Sequence, residues 1–357
     1  MKAQVYFVPL EDGVDIEAQS CAMAKAYKAV DTEKIINADD FVAIKLHVGE
    51  KKNTTHIKPA LIKCLVDKIY EKKGLPFLTE TSTLYKGERE NAIKHIMHAH
   101  RHGFGIDAVG APFIMSDGLA GNTEYEIEIN GELYKSVKIA REIVAADAVL
   151  VVSHPTGHPA SGLGACLKNL GMGLASRMGK MRQHSSMLPE IKDDKCIFCR
   201  KCMQWCPQNA IVERNYKAFI LAERCIGCGE CLAVCHSDAV NYDWNTESAV
   251  IQCSIAEYAY GVAKAKQGRS VYFNVMVDMT KNCDCFSTNQ EKIIPDIGIL
   301  ASLDPVAIDK ATLDITAKAH GKTLAELSHG HLNAMVQIEH AVKLGMGSAE
   351  YELIKIE

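Results

Sequence analysis

Apolar and polar positions along the first half of the chain follow two alternating rhythms. Short apolar runs at Ala3–Pro9, Phe41–His47, Pro76–Thr79, Ala111–Met115 and Ala148–Ser153 read as strands. Between them, apolar residues recur at helical spacing near Ile16–Val30, Lys58–Lys73 and Arg89–His102. The stretch Glu124–Ile139 departs from this pattern. It alternates on both sides of Asn130-Gly131, a strong hairpin signal, and leads into a short helix ending near Ala146. In the last third the first rhythm returns, with a helix near Ser254–Gln267 and strands at Ser270–Asp278 and Ile297–Ala301. Helices at Pro305–His320 and near Asn333–Leu344 and a last strand at Tyr351–Ile356 complete it. Asp304-Pro305 reads as a helix start, with Asp at the cap and Pro in the first turn. Strands alternating with helices predict an α/β fold with a mostly parallel, doubly wound sheet. Two stretches, 1–190 and 247–357, build that domain together.

The segment 191–246 has a different texture. It holds eight of the fourteen cysteines and few long apolar runs. Cys196, Cys199 and Cys202 are followed by Cys206-Pro207; Cys225, Cys228 and Cys231 are followed by Cys235. Each half is C-x2-C-x2-C-x3-C, and each ends in Ala and a β-branched residue, Ala210-Ile211 and Ala239-Val240. Three thiolates two residues apart wrap three corners of an iron–sulfur cube, while the fourth points toward the other cluster. Cys196, Cys199, Cys202 and Cys235 are therefore expected to hold one [4Fe–4S] cluster, and Cys225, Cys228, Cys231 and Cys206 the second. Paired zinc sites are the competing reading, but zinc needs neither the third cysteine at this spacing nor the Cys-Pro. The segment resembles the two-cluster bacterial ferredoxins, with His236 in place of the usual proline. The expected architecture is thus an α/β domain with a small α+β two-cluster domain inserted.

Composition narrows the surroundings. The net charge of −4 offers no basic surface for nucleic acid or an anionic membrane. No apolar run approaches the roughly 18 residues of a membrane span. The N-terminus lacks the apolar stretch and cleavage site of an export signal. A cytoplasmic, reducing location is the expectation, in which the cysteines serve metal rather than disulfides.

In an open parallel sheet, ligands bind outside the carboxyl ends of the strands. Reading those ends yields Lys45 and His47 after the second strand, Glu80 after the third and Asp117 after the fourth. His154 and His158 follow the fifth. After the strand at Ser270–Asp278 comes Cys283-Asp284-Cys285, in a polar stretch that does not suit simple core packing. Two such thiols can chelate a soft metal, join a third cluster with ligands such as His154, His158 and Cys166, or form a redox dithiol. A glycine turn at Gly162 and Gly164 leads toward Lys168 and is expected to bind an anion through backbone N–H groups and the ammonium. It matches neither dinucleotide nor P-loop spacing. Arg177, Lys180 and Arg182 add positive charge nearby. His95, His98 and His102 share a helix face, but without a flanking carboxylate signature they read as ordinary packing residues.

Several stretches occur together in an order that resembles the iron–sulfur-centre proteins of domain-of-unknown-function family 362. They are Ile44–Glu50, Thr79–Thr81, Tyr85–Arg89, Lys168–Gly173, Asn282–Cys285, Asp304–Asp309 and Gly345–Gly347. The resemblance implies an α/β domain joined to a two-cluster segment and names no reaction. The residues favour an iron–sulfur oxidoreductase. Electrons would pass through two clusters to a small-molecule substrate or metal centre near Cys283 and Cys285. Lys45, His47, His154, Glu80 and Asp117 would serve as proton donors, anion binders or ligands. A redox partner protein is expected. Two other readings are an electron-transfer subunit docking a partner enzyme, and a cluster-assembly or metal-delivery factor.

Overall fold

The computed structural model describes residues 2–184, 188–241 and 247–357. Eight strands form the central sheet: β1 (Ala3–Pro9), β2 (Phe41–Lys45), β3 (Leu75–Glu80), β4 (Phe113–Met115), β5 (Ala148–Ser153), β6 (Ser270–Met276), β7 (Gly298–Ser302) and β8 (Tyr351–Lys355). Their order is β8-β1-β7-β6-β5-β2-β3-β4. All run parallel except β7, which is antiparallel to both β1 and β6. The chain is therefore a mixed α/β protein with a large, mostly parallel sheet.

Helices cover both faces because strand side chains alternate. Leu150 and Val152 of β5 point to one face, where they meet α1 (Ile16–Ala29) and α2 (Pro59–Glu71) through Met23, Tyr27, Leu61 and Leu65. Val149 and Val151 point to the other face. There, α4 (Cys166–Gly171), α6 (Ser248–Lys266), α7 (Pro305–His320) and α8 (Met335–Lys343) supply Leu170, Ile255, Tyr258, Ala307 and Ile338. Two further helices, α3 (Ala92–Ala99) and α5 (Arg177–His184), flank the carboxyl edge. Asp304 caps α7 as expected, accepting from the N–H groups of Val306 and Ala307 at 2.8 and 2.9 Å.

Several element boundaries differ from the sequence reading. The helix expected over Arg89–His102 ends at Ala99 and continues as one wider turn, where Gly103 adopts φ +87. The helix expected from Ser254 begins at Ser248. Strands Glu124–Glu128 and Ser136–Ala140 pair antiparallel, but the loop at Asn130-Gly131 is longer than a two-residue turn. The buried Glu257 carboxylate explains its shape, accepting from the backbone N–H groups of Glu132, Leu133 and Tyr134.

The cysteine-rich segment folds as two short helices, Lys201–Trp205 and Glu230–Val234, with a hairpin of Ile211–Arg214 and Lys217–Ile220 between them. Glu190–Ile191 pairs with Val240–Asn241 at its base. The last residues of the expected inserted domain, 242–246, lie outside the described residues.

The chain order sets the position of the site. From β2 it proceeds outward to β3 and β4, then returns to place β5 on the other side of β2. The connections on the two sides cover opposite faces. A crevice therefore opens beyond the carboxyl ends of β2 and β5, as open α/β sheets dictate.

Candidate functional site

A cavity of about 680 Å³ fills that crevice. Lys45, His47 and Glu80 line it from β2 and β3, and Ser153, His154 and His158 from β5 and the loop beyond. Gly164, Lys168 and Asn169 contribute from around α4, and Lys180 and His184 from α5. Cys283, Asp284 and Cys285 close it from the loop after β6. Of the strand-end and glycine-turn candidates, Asp117, Gly162 and Cys166 stand outside this lining, as do Arg177 and Arg182. Asp117 lies behind the wall, where it accepts from the Ser82 N–H at 2.8 Å.

The floor is an ionic network around Glu80. Its carboxylate accepts from the Val48 N–H at 3.0 Å and from Arg89, lies 3.0 Å from His95 Nε2, and is 3.6 Å from the Lys45 ammonium. Burial alone would raise its pKa; the Lys45 and Arg89 charges beside it outweigh that and hold it well below the usual carboxylate range. Lys45 is fully buried, which lowers its pKa to about 8. It donates to Asn169 Oδ1 at 2.6 Å and to the Leu46 carbonyl. Gly173 makes room for it, since a Cβ there would come within 2.8 Å of Lys45 Cε. Arg89 also grips Glu50 at 3.1 Å and donates to the Tyr85 hydroxyl. These groups satisfy one another, so the floor is a rigid support.

The side facing them carries Lys168 and the two cysteines after β6. Lys168 Nζ stands 3.6 Å from Cys283 Sγ, and the Cys285 N–H points at the same sulfur from 3.5 Å. Hydrogen bonding from the Cys285 thiol, opposed by burial and aided by the Lys168 ammonium, lowers the Cys283 thiol to about 5. Cys285 is pushed up in turn by sharing its proton with that thiolate and by burial. Geometry thus distinguishes two cysteines that the sequence presents as equivalent: the Lys168 ammonium and the Cys285 N–H both face the Cys283 sulfur, which favours the thiolate there.

His154 holds this loop in place. Its Nδ1 lies 2.8 Å from Asp284 Oδ2 and its Nε2 lies 2.9 Å from the Val277 carbonyl, so both nitrogens are engaged. Burial opposes its charge, but Asp284 more than offsets this and raises its pKa. His47 accepts the Gly49 N–H on Nδ1 at 3.0 Å, which leaves the proton of its neutral ring on Nε2. Burial, and after it Arg89, keeps that ring neutral. His158 likewise accepts on Nδ1, from the Ala160 N–H, with the Ser161 hydroxyl, which donates to the Leu163 carbonyl, 3.1 Å away.

The glycine turn differs from its expected role. The N–H groups of Cys166 and Leu167 at the start of α4 are already taken by Asp309, each at 2.8 Å. The protein's own carboxylate fills the backbone cradle, and what this segment offers the cavity is the Lys168 ammonium. Cys166 is buried under that carboxylate, away from Cys283. The three histidines of α3 and its wider last turn serve separate acceptors: Glu80 for His95, the Gly49 carbonyl for His98 and the Val48 carbonyl for His102. Arg177 is drawn inward, donating to the carbonyls of Ala120, Thr83 and Glu90. Sequence reasoning did not single out Asn169, Arg89 or His184. Arg89 and Asn169 stood inside family-like stretches, and nothing local marked His184.

The eight cysteines of the central segment gather around two small cavities. One is lined by Cys196, Cys199, Cys202 and Cys235, the other by Cys206, Cys225, Cys228 and Cys231. The remaining lining is mostly apolar. Backbone N–H groups of Ala218, Ala210 and Ala239 point at the sulfurs of Cys196, Cys206 and Cys235 from 3.2–3.5 Å. Among the described residues, no three His, Cys, Asp or Glu side chains converge as the ligands of a single ion do. No described helix is long and apolar enough to cross a membrane.

The profile of a family described as a domain of unknown function, DUF362, matches residues 42–314. No curated protein matches the chain. Among solved structures, a structural-genomics crystal structure of a Thermotoga maritima protein is similar with a TM-score of 0.46 and 11% identity, over 87% of this chain and 61% of that one. The lactate racemase apoprotein from Thermoanaerobacterium thermosaccharolyticum is similar with a TM-score of 0.40 and 9% identity, over 77% of this chain and 51% of that one. The chain thus spans less than two thirds of the length of either.

Proposed function

The chain belongs to the DUF362 family, and from that premise we propose that it is an iron–sulfur oxidoreductase acting on a small anionic molecule held in the cavity beyond β2 and β5. The observation that carries this reading is the packing of the cysteine-rich segment, with its two four-cysteine sites, against the wall of that cavity. Leu84 lines the cavity and belongs to the same buried cluster as Cys231 and Cys202. The donor sets suit [4Fe–4S] clusters: four thiols around each space, few other polar groups, and N–H donors aimed at sulfur. When bound, such clusters store and pass single electrons.

The chain's own residues supply the rest. Lys168 and the Nε2–H of His47 face the cavity and would orient a carboxylate or similar anion. Cys283, held as a thiolate, is the group placed to meet the substrate, and the Cys285 thiol beside it holds a proton ready for transfer. Glu80 and Asp284 keep Lys45 and His154 in place, so the surroundings do not reorganise as charge moves. A cavity of this size and polarity favours chemistry on this chain over a purely electron-carrying role.

Anaerobically purified protein is expected to contain about eight iron and eight sulfide per chain. Cys225→Ser is expected to lower this to about four while leaving the other site loaded. One or two zinc ions and no sulfide in the wild type would overturn the iron–sulfur reading.

A further inference from the structure

The two four-cysteine sites are not equivalent. The loop around Cys225–Cys231 has its Gly229 end turned inward, while Ile226 at its tip is 49% exposed. Gly229 lies so close to α5 that a Cβ would come within 2.8 Å of Met181, and the Leu232 carbonyl accepts from Lys86, which lines the main cavity. The loop around Cys196–Cys202 is turned outward. Cys199 is exposed, and Ile197 beside it is 69% exposed.

The outward loop is continuous with one face of the neighbouring hairpin. Arg200 stacks on Phe198 and lies 3.9 Å from Glu213, and Arg214 covers Phe219. Lys217, opposite Arg214 in the hairpin, donates to the Cys196 carbonyl at 2.5 Å. Residues 192–202 and 211–220 together carry six Lys and Arg against three Asp and Glu, in a chain whose net charge is −4. A basic, partly aromatic rim thus surrounds the exposed thiol of one site, while the other site backs onto the cavity.

Resting on the redox reading above, we propose that this rim is the docking surface of an acidic electron-carrier protein, and that electrons enter at the Cys196–Cys199–Cys202–Cys235 site and leave through the Cys206–Cys225–Cys228–Cys231 site toward the cavity. With clusters bound at these sites, each encounter would move one electron from the carrier, which is oxidised, to the cluster held at the outer site, which is reduced, with no bond or proton exchanged. Opposite charge steers such an encounter and fixes its orientation, and its strength falls with salt.

The test uses the full chain and an acidic [2Fe–2S] ferredoxin, reduced beforehand, with Arg200→Glu combined with Arg214→Glu. The variant is expected to bind the ferredoxin roughly 10-fold or more weakly, to accept its electrons correspondingly more slowly, and to lose most of the salt dependence. Reduced methyl viologen, a small cation, is expected to reduce the variant at least as fast as the wild type. Lys25→Glu, on the exposed side of α1, should change neither rate. Unchanged ferredoxin affinity in a variant with wild-type iron content overturns the docking proposal alone. Equal slowing with viologen overturns it too, by assigning the effect to structural damage. Absence of iron from the wild type overturns the redox reading on which the proposal rests.

Discussion

Glu80→Ala is expected to destabilise the protein by about 3–5 kcal/mol, the cost of breaking a buried ion network by removing one partner. Glu80 is 3% exposed and faces Lys45, Arg89 and His95, all buried. Without the carboxylate, buried Lys45 loses its counter-charge, Arg89 is left with Glu50 alone, and the Val48 N–H loses its acceptor. A loss of this size is a large share of the roughly 5–15 kcal/mol that keeps a domain folded. Urea unfolding of Glu80→Ala and Glu80→Gln measures it; a loss under 1 kcal/mol in both would show that the network is not a support. The pH dependence has a definite sign. The folded pKa of Glu80 lies below the ordinary 4.5, so its contribution is complete above that value and is lost as pH falls through the lower folded pKa. His154 works the other way. Its folded pKa is raised above 6.5, so the Asp284 pair contributes fully below 6.5 and its contribution is lost as pH rises through the raised value.

The second large effect concerns Cys283. Alkylation of this thiol by iodoacetamide is expected to be nearly independent of pH between 6 and 8, because its pKa is lowered to about 5. An ordinary thiol with a pKa near 8.5 gains about 10-fold in rate per pH unit over most of that interval. Lys168→Met is expected to move the midpoint up, since the ammonium 3.6 Å away is one cause of the low value. Cys283→Ser with Cys285→Ser should abolish both this labelling and turnover while leaving the iron content of the chain unchanged. Peptide mass analysis after timed alkylation reads the first effect. A Cys283 profile rising in step with free cysteine would remove the thiolate from the proposed chemistry. Equal turnover in the double variant would remove both thiols from it.

Local sequence conveyed much of the frame. The parallel strands and most helices were legible because apolar spacing of two and of three to four residues directly reports which side of an element is buried. The Asp304-Pro305 start was legible because a cap is satisfied by the next three residues. Boundaries failed where distant groups intervene. The Asn130-Gly131 loop takes its shape from Glu257, more than a hundred residues away. The wider turn after Ala99 places His102 against the Val48 carbonyl, a contact that no helical period encodes.

The candidate site divides in the same way. Strand-end reasoning found Lys45, His47, Glu80, His154, Lys168, Cys283 and Cys285, because parallel topology brings the ends of β2, β3, β5 and β6 to one edge. It could not assign their roles. Lys45 and Glu80 are tied into one buried network because Asn169, Arg89 and His95 converge on them from α4, from the loop after β3 and from α3. The anion expected at the glycine turn is already present as Asp309, from the far end of the chain. The sequence by itself determined the α/β class, the polar carboxyl edge and the repeated cysteine spacing, since those depend on residue type and short-range period. Only the tertiary structure decided which thiol is the thiolate, which histidines are engaged and which cysteine loop faces solvent. Those properties depend on burial and on charges within a few ångströms, and these are set by segments far apart in the chain.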